Sequence, residues 1–213
     1  MAEAQAKHRC EQIGMEYAEV INHIIRSRGY TKYLEIGVQD PRHNFSRIEC
    51  AFKIGVDPAT NGVGVLKMTS DLFFQHNGTL FDLIFIDGDH SYEQSKRDLQ
   101  NALQALTPQG CLMAHDCNPR TKELATPRQV RVGVPWCGEV YRAFSDFTAS
   151  IPNVSLCLDL DHGMGIVEAG RISDSRKPEQ VNVDWEMFAS DRKKWINLIS
   201  MDEWMRSGLA ADR

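Results

Sequence analysis

The sequence predicts an α/β fold in which a mostly parallel, seven-stranded sheet carries helices on both faces. The first observation is that short β-rich runs alternate with helical patterns five times along the chain. Strands that alternate with helices in this way lie parallel and are joined by right-handed crossovers. The second observation is a pair of closely spaced β-rich runs at 154–160 and 163–167, which predicts a closing hairpin.

Each predicted strand is a short run of apolar and β-branched residues that stops at a glycine, a proline or a polar cluster. The clearest run is 81–87, which is apolar nearly throughout, as expected for a strand that is buried on both faces. The other strands of the parallel part are predicted at 33–38, 53–57, 63–68 and 111–114.

The predicted helices show apolar residues at three- and four-residue spacing. The first helix has such residues at Ile13, Tyr17, Val20, Ile21, Ile24 and Ile25. Gly29 ends this helix, and Ser70 is a candidate N-cap for a later, short one. The later helices are predicted at 45–52, 70–74, 91–106 and 140–151.

Composition narrows the classes of partner and location. The 213 residues are enough for one domain with a full-sized core, and the net charge of −5 argues against nucleic acid or an anionic membrane as a partner. The N-terminus lacks the apolar stretch of a secretory signal, so the cytoplasm is the expected location. The six cysteines include no CxxC pair, which predicts free thiols.

Parallel sheets bind ligands at the carboxyl ends of their strands, so the residues just after each strand are the candidates for function. Gly37, after the first strand, would let the backbone approach a ligand closely. The dinucleotide fingerprint GxGxxG is absent, because positions 39–42 read Gln-Asp-Pro-Arg. A cofactor without a pyrophosphate does not need those glycines, so a nicotinamide dehydrogenase is disfavoured.

Two further strand ends carry acidic residues that could hold a nucleoside. Asp57 follows the second strand about 20 residues after Glu35, the spacing typical of a carboxylate that accepts hydrogen bonds from a ribose diol. The alternative for Asp57 is a turn cap before Pro58. Ser70 and Asp71 follow the third strand and could meet an adenine edge, or could simply cap a helix.

The ends of the fourth and fifth strands carry a dense group of ionisable and polar residues, which is costly to bury without compensation. Because these strand ends are expected to lie side by side, six side chains could converge: Asp87, Asp89, His90, His115, Asp116 and Asn118. Carboxylates with imidazole nearby could bind a divalent cation such as Mg²⁺ or Mn²⁺. The group could equally be a metal-free site in which His90 or His115 is the general base.

Five segments in this order resemble the successive motifs of bacterial class I S-adenosylmethionine (SAM)-dependent methyltransferases, in particular the small single-domain proteins of sugar and natural-product pathways. The segments are YLEIGV at 33–38, IGVDP at 54–58, MTSDLFF at 68–74, FDLIFIDGDH at 81–90 and HDCNP at 115–119. The resemblance implies a Rossmann-like fold, SAM as cofactor, and a hydroxyl or amine of a small molecule as methyl acceptor.

The resemblance also implies roles by position. Glu35 and Gly37 would line the methionine end of SAM, Asp57 would hold the ribose, and Asp87 would face the methyl-transfer site. The cofactor-binding residues would be Glu35, Gly37, Asp57, Ser70, Asp71 and Asp87. Catalysis is assigned to Asp87, His90 and His115, and Asp87 and Asp116 are the candidate ligands of Mg²⁺ or another divalent metal.

Two other functions stay open at this point. One is a metal-assisted hydrolase or hydroxylase-like enzyme on the same fold. The other is a catalytically silent SAM-binding or partner protein, against which the ionisable cluster argues.

The methyltransferase domain is predicted to span residues 1–170, with an N-terminal helix within 1–29. Residues 171–213 are predicted to be a linker and a tryptophan-rich helical segment. That segment would pack on the domain, form a lid over the substrate or contribute to a homodimer.

Overall fold

The computed structural model describes residues 16–60, 62–129, 133–173 and 182–208. The strands are β1 (Lys32–Ile36), β2 (Phe52–Val56), β3 (Val65–Leu66), β4 (Phe81–Ile86), β5 (Leu106–Ala114), β6 (Asn153–Leu158), β7 (Met164–Ile172) and β8 (Leu198–Ile199). The helices are α1 (Tyr17–Arg28), α2 (Ser70–His76), α3 (Tyr92–Gln104), α4 (Val140–Ser150), α5 (Trp185–Ser190), α6 (Arg192–Ile196) and α7 (Met201–Arg206).

One mostly parallel sheet, in the order β3-β2-β1-β4-β5-β7-β6-β8, organises the described chain. The first five strands in this order, β3, β2, β1, β4 and β5, are parallel. By contrast, β7 runs antiparallel to both β5 and β6. The Rossmann-like fold class is therefore confirmed. The strand number differs, since the sheet has eight strands rather than seven. The extra strand, β8, is two residues long and pairs with β6, so it is too short to leave a periodic pattern in the sequence.

Helices cover both faces of the sheet, because alternate strand residues point to opposite sides. In β4, Leu83 and Phe85 pack into a cluster with the apolar face of α1 and with Trp204 of α7. Ile84 and Ile86 pack instead into a second cluster with residues of α3, α4, α5 and α6. The central strand is thus buried on both faces, as its composition predicts.

The connection between β1 and β2 contradicts the predicted helix at 45–52. It contains a single turn of 3-10 helix, Phe45–Arg47. The Phe45 side chain is buried, and the Lys53 ammonium donates hydrogen bonds to the carbonyls of Phe45 and Ile48 at 2.8 and 2.9 Å. The burial of Phe45 and the hydrogen bonds from Lys53 therefore stabilise this connection. A helix would instead have been stabilised by backbone hydrogen bonds.

Other helices and strands begin or end at residues that differ from the predicted ones. The predicted helix at 91–106 ends at Gln104, and Leu106 already belongs to β5, which runs through Pro108 and Gly110. A register shift between Phe81 and Leu83 accommodates this irregular start. The first described helix begins at Tyr17, and Ile13 lies outside the described residues.

The C-terminal elements pack against the sheet. Phe188, Trp195 and Trp204 are buried, and residues 198–199 form β8. The lid and homodimer roles stay predictions, and most of the predicted linker lies outside the described residues. Where the structure describes the chain, no helix is long and apolar enough to cross a membrane. The five described cysteines are free, as predicted, and Cys10 lies outside the described residues.

Candidate active site

A cavity of about 800 Å³ opens at the carboxyl ends of the parallel strands. All of the site residues assigned from the sequence line it: Glu35, Gly37, Asp57, Ser70, Asp71, Asp87, His90, His115 and Asp116. Asp89 also lines the cavity, but its carboxylate accepts the backbone N–H of Ser91 at the start of α3. Asn118 is turned away, since its side chain bonds to Asp159 and Arg192.

Gly37 allows the ends of β1 and β4 to touch. Its φ is +85°, and a Cβ atom there would lie 2.1 Å from the carbonyl oxygen of Asp87. Asp87 in turn donates its backbone N–H to the carbonyl of Ile36 at 2.8 Å. Gly37 is therefore required because the loop after β4 passes close to its Cα atom. The sequence analysis attributes this glycine instead to the close approach of a ligand.

Glu35 lies in a buried corner that holds hydrogen-bond donors. The hydroxyl of Tyr33 and the amide nitrogen of Asn44 donate to its Oε2 at 2.6 and 2.8 Å. Burial raises the pKa of Glu35 to about 8, although these hydrogen bonds oppose the shift. The Oδ1 atom of Asn44 is buried and has no hydrogen-bond partner among the described residues. Glu35 uses both of these donors, so the unpaired Oδ1 of Asn44 still needs a further donor, preferably a cationic one.

Replacing Glu35 by glutamine should change how stability depends on pH. The folded pKa of about 8 exceeds the ordinary 4.5, so the fold favours the protonated form. That contribution is complete below pH 4.5 and is lost as the pH rises through 8. We expect urea denaturation between pH 5 and 9 to show a fall of about 3–5 kcal/mol in the wild type that E35Q lacks. E93Q, at an exposed carboxylate of α3, is the control, and parallel profiles for wild type and E35Q would contradict the assignment.

Asp57 caps the turn at Pro58, and the ribose role considered for it stays a prediction. Its Oδ1 accepts the backbone N–H groups of Ala59 and Thr60, and its Oδ2 accepts that of Gln39, each at 2.8 Å. Burial alone would raise its pKa, but these hydrogen bonds outweigh burial and lower the pKa. A carboxylate offers about four acceptor positions, so Asp57 caps the turn and keeps capacity for a ligand in the cavity.

Asp87, His90, His115 and Asp116 form the ionisable cluster. Oδ1 of Asp87 lies 3.4 Å from Nδ1 of His115 and 3.6 Å from Nε2 of His90. Oδ2 of Asp116 lies 3.4 Å from the same His90 atom and 3.7 Å from the same His115 atom. The parallel pairing of β4 with β5 brings the four residues together, as predicted from their places after these strands.

The charges in this cluster are strongly coupled. Burial would raise the pKa of Asp87, but His115 and His90 outweigh burial and hold that pKa well below its ordinary range. Burial disfavours the charged form of His115, yet Asp87 and Asp161 raise its pKa well above the ordinary value. A protonated His115 donates hydrogen bonds and cannot accept a proton. Without a cation this charge state gives His115 an electrostatic role, and its assignment as the general base stays a prediction.

The loop before α4 fixes the ring of His90. Nδ1 of His90 donates to the carbonyl of Trp136 at 2.8 Å, and the two rings stack with centroids 5.1 Å apart. Gly138 has a φ of +60°, and a Cβ atom there would lie 2.3 Å from the carbonyl oxygen of His90. Because Nδ1 is bonded to a carbonyl, Nε2 is the ring nitrogen that faces Asp87 and Asp116, and it could bind a cation there once it has lost its proton.

This arrangement fits a divalent cation. Asp87, His90 and Asp116 each offer one ligand atom, and the three atoms lie within 4.8 Å of one another. Two carboxylates and one imidazole with its second nitrogen already bonded are a suitable ligand set for such an ion. Asp116 has a φ of +60°, a left-handed conformation that is strained for a residue with a side chain and is often retained at functional sites.

Sequence reasoning missed three residues of the site. Asp161, in the turn between β6 and β7, lies 3.1 Å from Nε2 of His115. Asn44 reaches Glu35 from the connection after β1, and Asp98 reaches the cavity from α3. Their positions depend on how connecting segments fold back onto the sheet, which no strand-end rule predicts. Thr69, not Ser70, caps α2 by accepting the N–H of Leu72.

The fold and the site define an α/β domain with a cavity of about 800 Å³ and an ionisable cluster at its strand ends. Residues 22–117 match the family model described as a methyltransferase domain. The resemblance to methyltransferases is thereby confirmed over these residues. A search of curated protein sequences found no match.

Solved structures agree on the fold. The SAH-bound methyltransferase PaMTH1 of Podospora anserina is 15% identical, with a TM-score of 0.50 over 74% of this chain and 78% of its own. The O-methyltransferase of Bacillus cereus in complex with SAH is 12% identical, with a TM-score of 0.50 over 78% of this chain and 89% of its own. At these identities the similarity concerns the fold alone.

Proposed function

We propose that this protein transfers a methyl group from SAM to a hydroxyl, or to an amine, of a small molecule. A sugar or a natural-product intermediate is the acceptor class that the motifs favour. The observation that carries the proposal is that one cavity holds both the donor-poor corner at Glu35 and the ionisable cluster at Asp87. The first suits an amino-acid ammonium group, and the second suits an acceptor that must lose a proton.

The cavity lining favours a cofactor of this chemistry. An ammonium group would donate to Glu35 and to the unpaired Oδ1 of Asn44. A ribose hydroxyl would use the remaining acceptor capacity of Asp57. Among the described residues that line the cavity, none is lysine or arginine. A nucleoside without phosphates therefore suits it better than a dinucleotide does.

The ionisable cluster would prepare the acceptor. SAM supplies the methyl group on its sulfonium, and a divalent cation held by Asp87, His90 and Asp116 would lower the pKa of an acceptor hydroxyl. Oδ1 of Asp87 can accept a hydrogen bond from that hydroxyl. The stacked Trp136 ring holds His90 in place, and the Asp161–His115 pair holds the orientation of Asp87. Methyl transfer from a sulfonium is an in-line displacement. The cavity would therefore also need to position the acceptor and to exclude water.

Calorimetric titration with S-adenosylhomocysteine tests the cofactor, with NAD as the control. We expect a Kd in the micromolar range for S-adenosylhomocysteine and no binding of NAD. Repeating the titration with EDTA and with added Mn²⁺ shows whether a cation contributes to the cofactor complex. If neither nucleotide binds, the methyltransferase proposal fails, and the Asp–His cluster should be assayed as the metal site of a hydrolase.

A further inference from the structure

The end of β5 continues into a loop, residues 115–119, which carries one of the candidate cation ligands. Asp116 in this loop has a φ of +60°. A residue with a side chain keeps such a strained conformation only where the surrounding structure holds it. Before Asp116, the backbone N–H of His115 donates to the carbonyl of Ile86 in β4 at 2.9 Å. The conformation of Asp116 therefore also depends on what holds the residues that follow it.

The turn between β6 and β7 holds the backbone of this loop. Cys117 donates its backbone N–H to the carbonyl of Gly163 at 3.2 Å, and Asn118 donates its own to the carbonyl of His162 at 2.6 Å. A Cβ atom on Gly163 would lie 2.3 Å from the Cβ atom of Asn118, so the turn and the loop are in direct contact. These contacts fix the backbone directly after Asp116.

Arg192, at the start of α6, reaches the same loop from the C-terminal part of the chain. Its Nη1 atom donates to the side-chain oxygen of Asn118 and, at 2.6 Å, to the carbonyl of Pro119. Both of these residues are buried, so the loss of this donor would be unfavourable for two buried acceptors. The guanidinium carbon lies 5.5 Å from the ring centroid of Trp185 and 4.9 Å from that of Phe188, and these contacts restrict its position.

We propose that Arg192 is a positioning residue of the cation site, because it holds the loop that carries Asp116. The inference rests on the proposed function, in which Asp116 binds the cation together with Asp87 and His90. Arg192 is not among the described residues that line the cavity, so it acts through Asn118 and the loop. The C-terminal part of the chain therefore supports the active site in addition to packing on the sheet.

Different contacts hold the cofactor end of the cavity. Glu35 accepts hydrogen bonds from Tyr33 and Asn44. Asp57 accepts backbone N–H groups of the segments that follow β1 and β2. These contacts involve neither the loop 115–119 nor α6. Loss of the Arg192 guanidinium should therefore weaken cation binding selectively, whereas a general loss of packing would weaken the binding of both ligands.

The test measures the binding of Mn²⁺ and of S-adenosylhomocysteine to the full chain by calorimetry. We expect R192A to bind Mn²⁺ about 10- to 100-fold more weakly than the wild type, the usual loss when a group that orients a metal ligand is removed. Its affinity for S-adenosylhomocysteine should stay within about 3-fold of the wild-type value. R192K keeps the charge but not the planar fork, so it should recover only part of the affinity for Mn²⁺.

K194A is the matched control. Lys194 lies on the same helix and its ammonium lies 4.4 Å from the ring centroid of Trp195, but its side chain is exposed. We expect K194A to bind both ligands as the wild type does. Thermal unfolding shows whether each variant is folded. If R192A is not folded, R192K decides the matter, because it should still bind Mn²⁺ more weakly at an unchanged affinity for S-adenosylhomocysteine.

The outcomes separate this inference from the proposed function. If folded R192A binds Mn²⁺ as tightly as the wild type, or loses affinity for both ligands equally, the role of Arg192 is overturned and the proposed function stands. If the wild type binds S-adenosylhomocysteine but no Mn²⁺, the inference is also overturned, because there is no cation site to position. If the wild type does not bind S-adenosylhomocysteine, the proposed function fails and this inference fails with it.

Discussion

Replacing Asp87 by alanine is expected to reduce methyl transfer by about 100- to 10,000-fold and to leave the protein folded. Oδ1 of Asp87 faces both imidazoles of the cluster, and it is a candidate ligand of the cation. The backbone N–H of Asp87 still bonds to Ile36 in the variant, so the β4 end should persist. The measurement is transfer of a radiolabelled methyl group from SAM to an acceptor found by screening, together with Mn²⁺ binding.

Two further variants make the Asp87 result specific. H115A should show a comparable loss, because His115 lies between Asp87 and Asp161. D89A is the matched control, since Asp89 also lines the cavity and accepts the N–H of Ser91 but forms no ion pair with the cluster among the described residues. Its turnover should stay within about 3-fold of wild type, allowing for a small loss of capping. Unchanged turnover in both D87A and H115A would show that the chemistry lies elsewhere.

Replacing Gly37 by alanine is expected to destabilise the fold by about 4 kcal/mol or more, or to prevent folding. The new Cβ atom would overlap the carbonyl oxygen of Asp87 at 2.1 Å, and a φ of +85° is unfavourable for alanine. The free energy of unfolding in urea measures the effect, and G78A is the control because a Cβ atom there meets nothing within 4 Å. Similar stabilities for G37A and G78A would mean that the β1 and β4 ends can separate without cost.

The strands could be predicted from the sequence wherever burial dominates their composition. β4 is apolar on both faces because helices cover both sides of it, and its residues show this directly. The connection at 45–52 was predicted wrongly as a helix, and it contains only one turn of 3-10 helix, Phe45–Arg47. In the structure the side chains of Phe45 and Ile48 are both buried, while Lys53 satisfies the freed carbonyls.

The site could be predicted in part, because strand ends have fixed places in a parallel sheet. The convergence of Asp87 with His115 follows from the neighbouring positions of β4 and β5. Asp98 gave no such signal, since a polar residue on an amphipathic helix normally faces solvent. Asp161 depends on the path of the turn between β6 and β7, and short-range patterns carry no information about that path.

The pairing of β8 with β6 has a consequence during synthesis of the chain. Until residues 197–199 have emerged, the backbone N–H groups of Cys157 and Asp159 lack the carbonyls of Asn197 and Ile199 to which they donate in the fold. An uncovered edge of this kind can pair with the same edge of another nascent chain and start aggregation. The burial of Trp204 just beyond β8 helps to anchor the short strand against that edge. Premature termination before residue 198 should therefore give insoluble protein even though the ionisable cluster is already complete.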